Sequence, residues 1–238
     1  MILHNASLCS LYFGNNKTAI DQEFVKEKSI YIGFQEPFDT IKKFVQARDL
    51  IFLHQTHSAT GHQVLESEKD IIKGAEGDYL ITAVPRLGLG VLTADCLAII
   101  VHDPVHHALG IAHAGWRGSV AEVGLRMLEH MHSQFLTEYD QVKVYFGPSA
   151  RLCCYEIGAD FFEHLDPYVY AQETIVEKDS KHYFDLGLFN KLQLEYAGVL
   201  KQNIKTEYNT CTICDDAYVS YRRDREKNKR NITVAALK

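Results

Sequence analysis

No apolar run in this chain approaches the ~20 residues that a helical membrane span needs. The opening stretch MILHNASLCSLYFGNN lacks the basic start, long apolar core and small-residue cleavage site of a secretion signal. The expected compartment is therefore the cytoplasm. Proline is scarce and scattered, five in 238 residues, and no Pro/Gly/Ser-rich linker, repeat or low-complexity tract divides the sequence. One compact domain over residues 1–238 is expected. Positive charge is outnumbered, 25 Lys and Arg against 31 Asp and Glu, for a net −6 and a pI of about 6.0. That balance argues against the broad basic face of a nucleic-acid binder, but not against a small anionic substrate gripped by a few local arginines. A Gly-rich phosphate loop of the Walker or dinucleotide type is missing, and so is a Gly-x-Ser-x-Gly nucleophile elbow.

What is present fits a globular chain. Hydrophobic residues make up 46% and charged residues 24%, and a chain this long buries enough surface to fold without a covalent staple. In a reducing compartment the six cysteines are expected as thiols, metal ligands or catalytic groups. Short β-rich runs bounded by turn signals predict strands at residues 51–53, 79–82, 90–92, 97–101, 109–113, 142–146 and 232–237. Apolar spacing predicts helices at 38–46, 119–135 and 189–200. Strands that cluster without regular alternation with helices point to an α+β or layered α/β fold.

Three residues near predicted strand ends stand out. His57 closes His54-Gln55-Thr56-His57, Cys96 closes Thr93-Ala94-Asp95-Cys96, and His113 opens His113-Ala114-Gly115-Trp116-Arg117-Gly118. Two imidazoles and a thiolate suit Zn²⁺, and three protein ligands leave the fourth position that a catalytic site needs. Most of the twelve histidines are expected to be ordinary solvated or hydrogen-bonded groups, and no pair in the trio has the compact spacing of a zinc finger. Gly115-Trp116-Arg117-Gly118 reads as a turn opening a helix near Ser119, where backbone N–H groups and Arg117 attract an anion. The basic run around Arg222 is a solvated face or a phosphate contact. Cys211-Thr212-Ile213-Cys214 is a redox pair, half of a zinc site, or two buried thiols; with Cys153-Cys154 at the wrong spacing to complete a zinc site, buried thiols are expected.

Taken in order, these motifs, with Gly77-Asp78, Gly147-Pro148, Cys154-Tyr155-Glu156-Ile157-Gly158 and Ser220-Tyr221-Arg222-Arg223-Asp224, resemble the YfiH-like family. It is also called the multicopper polyphenol oxidoreductase or laccase-domain family, and the match is strongest over about residues 50–235. The resemblance implies a layered α/β/β/α sandwich and a metal held by His57, Cys96 and His113. It also implies action on purine nucleosides: phosphorolysis of adenosine, inosine, guanosine or methylthioadenosine, with adenosine deamination in some members. The chain departs from the family in its first fifty residues, in Leu97-Ala98 where proline is usual, and in Lys229-Arg230, where the arginine matches and the usual glycine does not.

Three functional classes follow. The first is a zinc-dependent purine nucleoside phosphorylase or adenosine deaminase, with Cys96, Asp95 and Asp78 as catalytic candidates, the two aspartates shuttling protons. Arg117, Arg222 and Gln55 are its substrate-binding candidates. The second is a copper-dependent phenol oxidase, which would need several coppers and clustered histidines beyond His54/His57 and His106-His107; one soft site could take copper adventitiously. The third is a non-enzymatic, metal-stabilised interaction domain, in which His54 or His62 would close the site as a fourth ligand.

Overall fold

Alternate residues of the central strands face two different apolar layers, and this period of two builds the molecule. In the computed structural model, which describes residues 2–5, 8–22 and 37–238, the first strands are β1 (Ile2–Asn5), β2 (Cys9–Phe13), β3 (Ile20–Asp21), β4 (Asp49–Phe52), β5 (Gly61–Gln63), β6 (Tyr79–Thr82), β7 (Leu87–Thr93) and β8 (Leu97–Asp103). They are followed by β9 (Ala108–Ala114), β10 (Lys143–Phe146), β11 (Glu156–Ile157), β12 (Ile175–Lys178), β13 (Lys181–Phe184), β14 (Ile204–Lys205) and β15 (Lys229–Leu237). One sheet runs β1-β2-β15-β7-β4 with β3 added on β15; a second runs β14-β10-β8-β9-β6-β5; a small third joins β11, β13 and β12.

The two large sheets pack face to face. Ala98 and Ile100 of β8, Leu109 and Ile111 of β9, Leu87, Leu89 and Val91 of β7, and Ala235 of β15 meet between them. The opposite side chains of β8, Leu97, Ile99 and Val101, pack outward against helices. Those helices are Val123–Phe135, through Val123, Met127, Leu128 and Met131, and Leu186–Tyr196, through Leu186, Phe189 and Leu194. On the far side, helix Phe38–Val45 lays Phe38, Ile41 and Val45 on Tyr12, Leu50, Phe52, Ile232 and Val234. The result is the α/β/β/α order that the resemblance implied. Strands covered on both faces are apolar throughout, so β7, β8 and β9 are buried along their whole length.

The expected elements recur with shifted ends. β7, β8, β9 and β15 are longer than their apolar cores. The helix expected at 119–135 is two pieces, Trp116–Val120 and Val123–Phe135, because Glu122 takes a left-handed φ of 65° that breaks the helical path. The helix expected at 189–200 starts earlier, where Asp185 caps it by accepting from the Leu188 amide, and stops before Gly198 at φ 110°. β1, β2, β3, β5 and β11–β14 were not anticipated. Among the described residues no helix is long and apolar enough to cross a membrane.

Register places the site. β4 and β7 are parallel, with Phe52 beside Gly90, so the loops after both strands leave the same end of the sandwich. β15 is antiparallel to β7, and Asn231 beside Thr93 brings Lys229-Arg230 to that end. In the facing sheet Leu97 pairs with Ala114, which sets Cys96 against Gly115.

Candidate metal centre

His57, Cys96 and His113 converge at this end, with their ligating atoms all within 4.8 Å of one another. Cys96 Sγ lies 4.0 Å from His57 Nε2, and the two imidazole rings meet edge to face at 4.8 Å. Asp78 organises two of the three. Its Oδ1 accepts from His113 Nδ1 at 2.8 Å and from the His57 amide at 3.0 Å. Its Oδ2 accepts from the Ser58 amide at 2.6 Å, the Ser58 hydroxyl at 2.7 Å and the Thr56 amide at 3.2 Å. With Nδ1 tied to a carboxylate, His113 turns Nε2 toward the site, the outer-shell arrangement that fixes metal-ligating histidines. His57 sits at φ 60°, a left-handed turn held by those amide bonds.

Cys96 is set from the other side. Asp95 has φ 82°, a conformation that aspartate adopts more readily than most residues. Its Oδ1 accepts from Thr212 Oγ1 at 2.7 Å and its Oδ2 from the Arg222 amide at 2.7 Å. The left-handed step at Asp95 leads straight into Cys96.

The charges lock together. Burial alone would push the Cys96 thiol up, but the positive His113 ring and hydrogen bonds from both histidines bring it down to about 6. Burial works against a charged His113, yet the Cys96 thiolate and then Asp78 raise it to about 9. The Asp78 carboxyl, which burial would raise, is held well below the usual carboxylate range by His113 and Ser58. At neutral pH and without a metal, the pair is a thiolate and an imidazolium that share a proton. That proton occupies the place a cation would take, and a soft N₂S donor set is the kind zinc accepts. The space is also reserved: a Cβ on Gly115 would stand 2.9 Å from Cys96 Sγ and 3.0 Å from His57 Cδ2. The residues therefore fit a metal.

Beside the trio opens a cavity of about 500 Å³, within the size range of small-molecule sites. Its lining includes Trp116, Arg117, Tyr155, Tyr221, Arg222 and Arg230. Arg117 is exposed and stacks on the Trp116 ring at 4.3 Å; among the described residues its guanidinium has no hydrogen-bond or ion-pair partner. Arg222 lies 4.6 Å over Tyr155 and donates to the Glu156 carbonyl at 2.7 Å. The sequence reading missed Arg230, Trp116 and Tyr155 as site residues, although the Arg230 match and the tryptophan motif were signals.

Several expectations need correction. Asp78 is not among the residues that line the cavity, and its buried carboxylate accepts from five donors on residues 56–58 and from His113, the contacts of a positioning residue. Asp95 lines the cavity, but each of its oxygens is already engaged. Gln55 also lines it, yet its amide is spent on the Leu92 backbone, accepting from N at 2.7 Å and donating to O at 2.8 Å. The helix after Gly115 has only five residues, so Arg117 itself carries the anion-binding expectation. His54 lines the cavity and faces Glu76, and His62 bonds the Glu76 carbonyl at 2.8 Å; neither joins the trio. His130 and His132, a His-x-His pair, are turned to Tyr79 and to the Thr137 carbonyl. Cys211 and Cys214 are not a buried pair: Cys214 is exposed, and Cys153 and Cys154 stand next to them.

Comparison with known proteins places this geometry. Residues 36–238 match the family model described as multi-copper polyphenol oxidoreductase laccase. The chain is 28% identical over 217 residues to a purine nucleoside phosphorylase of Clostridium acetobutylicum, covering 90% of this chain and 86% of the relative. It is 29% identical over 182 residues to an adenosine deaminase, RL5, of an unknown prokaryotic organism, covering 72% of this chain and 68% of that protein. In three dimensions it resembles the hypothetical protein YfiH of Bacillus licheniformis, with a TM-score of 0.75 at 25% identity over 84% of this chain and 79% of the other.

Proposed function

The chain belongs to the multi-copper polyphenol oxidoreductase laccase (YfiH-like) family, and within it we propose that it is a zinc-dependent purine nucleoside phosphorylase. Its relatives named for that activity support an enzyme of this class. The observation that carries the reading is one cavity lined both by the His/Cys/His donor set and by Arg117, Arg222 and Arg230.

Phosphorolysis breaks the bond between the base nitrogen and the ribose anomeric carbon as phosphate attacks that carbon. The chain must hold an anion next to a nucleoside. Arg117, without a hydrogen-bond partner among the described residues, has its donors available for phosphate. Arg222 is steadied by Tyr155 and the Glu156 carbonyl, and Arg230 lines the same cavity. Trp116, Tyr155 and Tyr221 offer aromatic surface for a purine and ribose. Burial, followed by the negative charge at Cys96, keeps the Tyr155 phenol above its ordinary range, so it meets substrate as a neutral O–H. Zinc held by His57, Cys96 and His113 would supply Lewis acidity that polarises a substrate group or acidifies water.

Adenosine deamination is the second reading, favoured by the similarity to adenosine deaminase RL5. Copper-dependent phenol oxidation has less support: among the described residues one mixed His/Cys group is found, and the other metal-capable group is all cysteine. A panel of purine nucleosides assayed with and without phosphate, following free base and ammonia, tests the proposal. Phosphate-dependent base release supports it. Ammonia without base release moves the assignment to deamination, and oxidation of phenols by copper-loaded protein alone refutes both.

A further inference from the structure

Cys153, Cys154, Cys211 and Cys214 form a second cluster, separate from Cys96, in which all four sulfurs lie within 4.8 Å of one another. Cys214 Sγ is approached by two neighbours at once, Cys154 at 2.7 Å and Cys153 at 3.3 Å. A disulfide joins sulfurs in twos and leaves no reason for four to gather on one point. A tetrahedral zinc with Zn–S bonds of about 2.3 Å sets its four sulfurs about 3.8 Å apart, inside the 4.8 Å that spans all four here, and would hold Cys214 off the two neighbours that now crowd it. We propose that these four cysteines form a structural tetrathiolate zinc site, distinct from the centre at His57, Cys96 and His113.

The local backbone is built for it. Cys211 to Cys214 is a turn, with the Asp215 amide bonded to the Cys211 carbonyl at 3.1 Å. The backbone amides of Cys214, Arg151 and Ile213 point at the Cys211 sulfur, and such N–H groups steady a thiolate, the form that binds metal. The other arm is also a turn, with the Cys154 and Tyr155 amides both bonded to the Arg151 carbonyl at 2.9 Å. A bridge between Ser149 and Cys211, with the Thr212 amide on the Ser149 carbonyl at 3.0 Å, fixes one arm against the other. Four thiolates and one zinc leave a dianionic site. The Arg223 guanidinium, itself paired with Asp224, ties the Cys211 turn down by donating to the carbonyls of Thr212 at 2.8 Å and Ile213 at 3.3 Å.

The place of this knot gives it a purpose. Tyr155, which follows Cys154, is a wall of the cavity, and Thr212, inside the Cys211 turn, holds Asp95 beside Cys96. Four ligands from two turns close the coordination shell, so no position is left for substrate and the role is to clamp that wall.

Elemental analysis of protein purified with reductant and without chelator decides it. Wild type is expected to carry two zinc ions per chain. Cys211→Ser/Cys214→Ser is expected to lose one, and His57→Ala/Cys96→Ala to lose the other. The second variant keeps the proposal testable if the first fails to fold: reloaded with Co²⁺, it should show the intense thiolate charge-transfer bands of four sulfurs, since Cys9 is its only other cysteine. Three results overturn the proposal: a single zinc that disappears with His57→Ala/Cys96→Ala, two thiols missing from a count because they are joined as a disulfide, or iron in place of zinc at the cluster. None of these readouts depends on turnover, so they stand apart from the nucleoside assay.

Discussion

Raising the pH from about 7 to about 8 should tighten zinc binding at His57, Cys96 and His113 roughly tenfold. Without metal the Cys96 thiol is brought down to about 6 and the His113 ring raised to about 9, so between those values the pair carries one proton, on the histidine. Zinc needs both the thiolate and the Nε2 lone pair, because Nδ1 is bonded to Asp78 at 2.8 Å. Each ion therefore expels one proton from this pair. One proton per ion is a factor of ten per pH unit, or about 1.4 kcal/mol, and the gain levels off above about pH 9, where His113 is already neutral. Competition with a chelator of known zinc affinity, run between about pH 7 and pH 9 and read as the difference between wild type and Cys96→Ala, gives the slope. Release of one proton per zinc in weakly buffered solution gives it independently. A Kd that does not move across this range would mean that His113 is neutral without metal, and the thiolate–imidazolium pair would be refuted.

Three further outcomes are expected. Asp78→Asn replaces a buried acceptor of bonds from residues 56–58 and His113, so it should cost about 3–5 kcal/mol in chemical denaturation; the depressed Asp78 carboxyl stabilises wild type at neutral pH, and that share is lost as pH falls through the acid range. Full stability of the variant would show that Asp78 is not the organiser of this loop. Gly115→Ala should fold, because φ at Gly115 is −71°, yet lose zinc from the trio, because its Cβ would crowd Cys96 and His57; retained stoichiometric zinc would refute the reading of Gly115 as reserved space. Arg117→Ala should raise the phosphate KM about ten- to a hundredfold, the loss of a charged hydrogen bond worth ~1.5–3 kcal/mol, while ammonia release from adenosine changes little; unchanged phosphate dependence would leave Arg117 as a surface residue that pins its turn.

Much of this architecture was legible in the sequence. Strands β6 to β9 announce themselves because both faces are covered and the apolar runs are unbroken. β1 and β2 do not, being short and standing in a segment with no clear period. The trio was legible because its residues lie at strand ends, and register converts strand ends into neighbours. The cysteine cluster was illegible for a related reason. Spacing rules detect ligands that a single turn brings together, whereas here a turn at Cys153-Cys154 meets another about sixty residues on, through the bridge of Ser149 to Cys211. The aspartates were legible as residue types but their partners were not, since only the folded chain brings Ser58 to Asp78 and Arg222 to Asp95. Arg230 escaped because it belongs to the last strand and reaches the cavity only through the pairing of β15 with β7.

The same hydrogen bonds bear on which chemistry the cavity suits. Deamination of a purine needs a group that takes a proton from water and returns it to the leaving amine. Asp78 is buried and fully used as an acceptor. Asp95 has each oxygen engaged by Thr212 or Arg222, and Tyr155 is held protonated. No carboxylate named at this site is left free for that traffic. Phosphorolysis asks less of the protein, because phosphate arrives already anionic and is itself the nucleophile. What it asks for is cationic side chains set to hold that anion against the anomeric carbon. Arg117, Arg222 and Arg230 line one cavity with the His/Cys/His group, so the inventory of side chains favours phosphorolysis on grounds independent of the names of the relatives.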